Sequence, residues 1–184
     1  GVYSANEWLT RVNLMNARLF PEYDEPTFDL RGKDVAVVGG GNVAIDSART
    51  ALRQGAKQVT ILYRRSRDEM PANPYEIKEA EEEGIKTQFL AAPKKIHGKD
   101  GHVDGVECIK MALGEPDETG RRAPKPVEGS EFKLQTDTVI LAIGEAPDLS
   151  FLPKETEIGD GNTILVEPFS AETSQPGVFA GGDC

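Results

Sequence analysis

Three small residues, Gly39, Gly41 and Ala44, stand at G-x-G-x-x-A spacing in Val37-Val-Gly-Gly-Gly-Asn-Val-Ala44. Each position has its own physical job. The first glycine makes a tight turn, the second lets backbone approach a pyrophosphate, and the third small residue lets a helix pack closely on a strand. A helix opening at this point offers unpaired N–H groups and partial positive charge, both suited to phosphate. Gly39, Gly40, Gly41, Asn42, Val43 and Ala44 are therefore expected to hold a dinucleotide. A second cluster, Tyr63-Arg64-Arg65 with Arg67 close behind, falls at the end of the next apolar run. An NAD-type site carries Asp or Glu there for the ribose 2′-hydroxyl. Arginine forks instead match a 2′-phosphate bidentately. Together the two features point to NADP(H), with Arg64 and Arg65 the foremost phosphate ligands and Arg67 a lesser one.

Such residues need a strand–helix–strand unit to position them. Val35–Val38 is short and β-branched, and reads as a buried parallel strand. A helix is expected over Asn42–Gln54, stopped at Gly55, with a second strand at Val59–Tyr63. Together they make a βαβ unit of about 30 residues, the context that gives the glycine spacing its meaning. A helix over Tyr75–Glu83 and a strand at Lys86–Leu90 follow. From Val103 to Leu134 the pattern becomes that of an antiparallel excursion, with a charged, proline-containing turn at 114–129 read as mobile. Thr138–Gly144 returns to a buried parallel strand. The fold class is α/β: a Rossmann-like three-layer domain with a parallel sheet and an inserted antiparallel β-excursion at about 93–137.

Three regions follow from this pattern. Residues 1–30 read as a linker or packing arm, with a helix over roughly 5–19 capped by Ser4 and Glu7, then the turn-rich Pro21–Pro26. Residues 31–150 form the nucleotide-binding domain. Residues 151–184 are a return segment, with a short strand at Thr163–Val166 and an apolar strand running into Gly181-Gly182-Asp183.

Other chemistries fit less well. Glu79, Glu81, Glu82 and Glu83 read as a solvated helix face, since no His or Asp joins them at ligand spacing. His97 and His102 read as part of an exposed hairpin, and no metal site is expected. Cys108 and Cys184 are too few and too scattered for a disulfide framework or a zinc site, and no C-x-x-C supports a dithiol reductase. With 31 acidic against 21 basic residues the net charge is −10 and the pI about 4.8. That balance argues against nucleic acid or an anionic membrane as partner. No run approaches the ~18 apolar residues of a spanning helix, and the first residues lack a signal-peptide pattern. A cytoplasmic, reducing setting is expected.

The sequence resembles the small (beta) subunit family of NADPH-dependent glutamate synthases, and related flavin subunits of ferredoxin–NADP oxidoreductases. The resemblance rests on Gly1-Val-Tyr-Ser-Ala5, Val37–Ala44, Leu62-Tyr-Arg-Arg-Ser-Arg-Asp-Glu-Met-Pro-Ala72, Ala142-Ile-Gly144 and Gly177-Val-Phe-Ala-Gly-Gly-Asp183. It implies that the glycine loop holds the NADPH pyrophosphate and that Tyr63, Arg64 and Arg65 meet the 2′-phosphate. It also adds Ala142, Ile143 and Gly144 to the cofactor-binding set. Gly182 and Asp183 would belong to a second site, with Asp183 on the ribityl chain of FAD. The resemblance further implies FAD in a neighbouring domain of the full-length chain, iron–sulfur clusters outside this segment, and a large synthase or ferredoxin-type partner subunit. A second G-x-G-x-x-G, which the family would use for FAD, and four clustered cysteine ligands do not occur in this sequence. The segment therefore reads as an excised NADPH-binding domain, and no catalytic acid or base is assigned. The alternative is a non-catalytic NADP(H)-sensing module.

Overall fold

The computed structural model describes residues 1–16, 19, 22, 28–118 and 120–182. Val35–Val38 and Val59–Tyr63 are buried throughout. That is the signature of parallel strands covered on both faces. The elements run β1 (Val2–Ser4), α1 (Ala5–Leu9), β2 (Asp34–Val38), α2 (Asn42–Arg53), β3 (Gln58–Tyr63), α3 (Pro74–Glu82) and β4 (Lys86–Phe89). They continue through β5 (Ala91–Lys99), β6 (His102–Pro116), β7 (Arg122–Pro126), β8 (Phe132–Leu134) and β9 (Thr138–Leu141). A parallel sheet takes the order β1-β9-β2-β3-β4, and β5, β6 and β7 form an antiparallel sheet in which β8 also pairs β6.

Side chains alternate across a strand, so each face of the parallel sheet supplies its own core. Val35, Val37, Val59, Ile61 and Ile140 pack on one side with Trp8, Ala44, Ala48 and Ala51. Ala36, Val38, Leu62 and Val139 pack on the other with Ala91, Val106 and Cys108 of the antiparallel sheet. The three layers are helices, parallel sheet and antiparallel sheet, as expected. The excursion runs from Ala91 to Leu134. Its first hairpin turns on Asp100-Gly101, both at positive φ (52° and 79°). This is the backbone demand of a two-residue turn that matches strand twist.

Four expectations need correction. Of the two readings of the N-terminal arm, residues 1–16 fit packing and not a linker: β1 pairs with β9 in the main sheet, and Trp8 and Val12 are buried in the core. Ser4 Oγ does accept from the Glu7 N–H at 3.1 Å. The helix, however, ends early, passing into a π turn at Thr10–Leu14 and stopping before Asn16 at φ 50°. The rest of the expected helix, and 21–26 apart from Glu22, lie largely outside the described residues.

The turn at 114–129 is ordered by β7, whose prolines 124 and 126 sit on the edge of the sheet, where a missing N–H is tolerated. The acidic face of α3 is not merely solvated. Arg49 of α2 bridges Glu79 at 3.0 Å and Glu83 at 2.7 Å, clamping the two helices. Finally, the strands expected at Thr163–Val166 and before Gly181 reduce to the isolated bridges Ile158–Ile164, Val166–Thr173 and Glu172–Phe179. Gly159, Gly161, Pro168 and Pro176 interrupt these runs before a ladder can lengthen.

The chain divides into two units, 1–143 and 144–184. No helix among the described residues is long and apolar enough to cross a membrane.

Candidate nucleotide-binding site

In the parallel sheet, the chain leaves β2 toward β3 on one side, while β9 lies on the other. An open sheet of this kind parts its loops at such a reversal, beyond the carboxyl ends of the strands, and ligands bind in the crevice. Val38 and Leu141 end the two strands in register. Gly39–Gly41 and Ala142-Ile143 come directly after them, and the Ala142 N–H donates to the Val38 carbonyl at 2.8 Å.

The glycines of the loop differ in what surrounds them. Gly39 adopts φ +146°, and a Cβ placed on it would lie 2.2 Å from the Ala142 carbonyl oxygen. Gly40 lies on the Tyr63 ring, where a Cβ would sit 2.4 Å from the nearest ring atoms. Gly41 is the N-cap of α2 at φ −89°, and a Cβ there would point into open space. Its carbonyl accepts from the Ala44 and Ile45 N–H groups at 3.0 and 3.2 Å. The N–H groups of Asn42 and Val43, ahead of these two, have no acceptor within the helix and can meet a phosphate. Ala44 is fully buried, as close helix–strand packing requires, and Val43 is half exposed. The G-x-G signal gives no hint that Gly40 is also constrained; only its contact with Tyr63 shows it.

The rim is closed by the segment before α3. The Ala72 N–H donates to the Gly40 carbonyl at 3.1 Å, and the Asn73 N–H donates to Asn42 Oδ1 at 2.9 Å. Asn73 in turn caps α3 by accepting from the Tyr75 N–H at 3.0 Å. Asn42 thus uses its side chain to anchor a neighbouring loop.

The residues at the tip of β3 separate into different roles. Tyr63 is buried beneath Gly40, its hydroxyl donating to the Glu69 carbonyl at 2.7 Å. Arg64 is exposed and forms no ion pair or hydrogen bond with the described residues. Arg65, expected beside it on the phosphate, turns inward and is 4% exposed. Its Nε donates to the Arg122 carbonyl at 2.8 Å and its terminal nitrogen pairs with Asp117. Arg67 forms an ion pair with Glu81. Glu69, also buried, accepts from the Ser66 N–H and hydroxyl and from Arg122 Nε. Those donors, the Ser66 hydroxyl first and Arg122 after it, hold its carboxyl below the usual range. Nothing in the sequence pointed to Asp117 or Arg122, or to the pairing of Arg122 with Glu69, because these partners lie more than fifty positions apart.

Ile143 is 71% exposed, and Gly144 follows at φ +92° with open space where a Cβ would be. Gly182, in the second unit, adopts φ +94°; Asp183 lies outside the described residues. His97 sits in the hairpin, 3.2 Å from Glu107. Among the described residues no group of His, Cys, Asp and Glu is assembled to hold a metal ion.

Residues 7–184 match the pyridine nucleotide-disulphide oxidoreductase family. The chain belongs to that family. Among its relatives, the NADP(+)-dependent formate dehydrogenase subunit beta of Moorella thermoacetica is 55% identical over 84% of this chain and 22% of its own length. The glutamate synthase [NADPH] small chain of Azospirillum brasilense is 41% identical over 99% of this chain and 38% of its own. The chain thus spans well under half of the length of either relative. Thioredoxin reductase from T. acidophilum shares the fold, with a TM-score of 0.68 at 24% identity over all of this chain and 49% of that one.

Proposed function

We propose that this oxidoreductase domain docks NADPH for a flavin-dependent enzyme resembling the glutamate synthase small subunit. The observation that carries the reading is the free Arg64 guanidinium at the end of β3, beside a glycine loop at the reversal between β2 and β9. The residues present fit the nucleotide. Gly41 leaves open space at a helix N-terminus, where the diphosphate would lie against the N–H groups of α2. Arg64 would take the 2′-phosphate. Ala142 and Ile143, held against the glycine loop, would border the nicotinamide half, with Gly144 next in the chain.

When bound, NADPH supplies a hydride from its nicotinamide ring. This chain's own residues bind, orient and neutralise charge, and no side chain is needed to move a proton. FAD and iron–sulfur clusters are assigned to other parts of a longer protein, and a large synthase or ferredoxin-type subunit to its partner. The relatives named subunit beta and small chain support that arrangement, and the setting is cytoplasmic.

Calorimetric titration of the 184-residue chain with NADPH, NADH and 2′,5′-ADP tests the reading. NADPH and 2′,5′-ADP should compete for one site, and NADH should bind at least about tenfold more weakly. A charge-assisted bond to Arg64 is worth about 1.5–3 kcal/mol. Arg64→Ala should erase the difference. Equal affinity for NADPH and NADH in the unaltered chain would overturn the assignment.

A further inference from the structure

The tip of β3 and the β6–β7 ribbon are joined by two arginines that cross in opposite directions. Arg65 reaches from the tip to the ribbon, where it meets Asp117 and the carbonyl of Arg122. Arg122 reaches back from the ribbon to Glu69. Both anchors at the tip are buried: the Arg65 side chain is 5% exposed and the Glu69 side chain 7%. The main chain adds a further tie, since the Leu90 N–H donates to the Arg65 carbonyl at 3.1 Å. Leu90 itself adopts φ 53°, an uncommon conformation for a residue with a branched side chain. Ser66 and Tyr63 complete the knot through their bonds to Glu69.

The residue left outside this knot is Arg64. Its neighbour Arg65 is fixed at the main chain and at the side chain, so the backbone carrying Arg64 has little freedom. A flexible arginine loses rotamer and backbone entropy when it grips a phosphate, and a pre-fixed one loses less. The charge arrangement also has a purpose. Asp117 and Glu69 neutralise Arg65 and Arg122 internally, which leaves Arg64 at the tip without an ion-pair partner among the described residues.

We propose that the β6–β7 ribbon is a specificity clamp for the nucleotide site, with Asp117 and Arg122 as positioning residues that hold the β3 tip so that Arg64 faces the 2′-phosphate. Arg65 on this view is a positioning residue as well, and touches no nucleotide. The inference rests on the NADP(H) reading above. It extends the site to a segment of the antiparallel excursion, fifty-two residues beyond the tip that it controls.

Two kinds of measurement on the 184-residue chain separate the clamp from the reading on which it rests. Amide hydrogen exchange needs no nucleotide. Asp117→Asn, and independently the milder Arg122→Gln on a half-exposed side chain, should speed exchange across residues 64–69 by about tenfold or more. Exchange in β2 and β3 should stay as in the unaltered chain. In calorimetry both variants should lose NADPH affinity about tenfold while NADH affinity moves by less than about twofold. Arg64→Ala should lose the same preference without faster exchange.

Unchanged exchange at 64–69 in both ribbon variants would overturn the clamp. So would an equal loss of both nucleotides, or an unaltered NADPH preference. If exchange rises but the unaltered chain itself shows no NADPH preference, the reading of the site fails with it, and the ribbon is a structural brace only.

Discussion

Gly39 runs so close beneath Ala142 that the carbonyl oxygen of Ala142 occupies the place of the side chain that Gly39 lacks. Glycine is needed at 39 for this close approach, whereas at 41 the structure leaves the side-chain space open. Gly39→Ala meets backbone, which cannot give way as a flexible side chain can, at a φ of +146°. A loss of at least about 2 kcal/mol in unfolding free energy is expected, read by denaturant titration. Gly41→Ala meets nothing in the protein, so stability should stay within about 0.5 kcal/mol. Its methyl group would occupy the space proposed for the diphosphate, and NADPH affinity should fall at least about tenfold. Normal NADPH binding by Gly41→Ala would displace the diphosphate from this loop.

Trp8 is fully buried against the helix side of the parallel sheet, and its ring lies 6.1 Å from that of Phe28. Trp8→Ala should therefore destabilise the domain by about 3–5 kcal/mol. Trp8→Phe keeps most of the ring and forfeits no hydrogen bond, since Nε1 has no partner among the described residues. It should cost about 1–2 kcal/mol. A Trp8→Ala variant as stable as the parent chain would show that the N-terminal segment is not part of the folding unit.

Glu69 and Glu83 are both held below the ordinary glutamate value of 4.5, Glu69 first by the Ser66 hydroxyl and Glu83 first by Arg49. In the unfolded chain they bind protons more readily than in the folded one. Their stabilisation is therefore full above pH 4.5 and is lost as pH falls through their lower, folded-state values. Thermal melts should be nearly flat in pH above about 5 from these groups and decline below 4.5. The double variant Glu69→Gln, Glu83→Gln should flatten the decline. An identical decline in that variant would assign it to other carboxylates.

Cys108 is buried between the two sheets, and burial pushes its thiol up from 9.0 to about 11. Its thiolate fraction at neutral pH is then about a hundredfold below that of a free cysteine. Iodoacetamide at pH 8 should leave Cys108 unmodified in the native protein and label it after denaturation, as mapped by mass spectrometry. The sign for stability is the reverse of the glutamates: the folded state keeps the proton longer, so stability falls as pH rises from about 9 through 11. Rapid labelling of Cys108 in the native state would contradict its place in the core.

Much of this architecture was written locally. The β2–α2–β3 unit announces itself through apolar runs broken by glycine, and the three small residues of the loop are legible from their spacing alone because the turn from strand to helix fixes it. What stayed hidden depends on distant partners. Val2-Tyr3-Ser4 is too short to read as a strand until Val139–Leu141 pairs with it. Arg64 and Arg65 are identical in type and adjacent in the chain, yet one faces solvent and the other is buried, a difference made by Asp117 and Arg122. Prolines 124 and 126 suggest a loop, and only an edge position reveals a strand.

The interruption of the parallel sheet by the antiparallel excursion also bears on how the domain assembles. β2, α2 and β3 are neighbours along the chain and can close early, but β9 meets β2 only after the excursion has been formed or spanned. The Asp34 N–H reaches the Asp137 carboxylate across 103 positions. Contacts so distant in sequence are slow to form, because loop closure comes before the reward. The close approach of Gly39 and Ala142 is therefore expected among the last features to appear during folding. A nascent chain carries its glycine loop long before Ala142 arrives to face it, and a nucleotide at the proposed site would act as a seal on the final step.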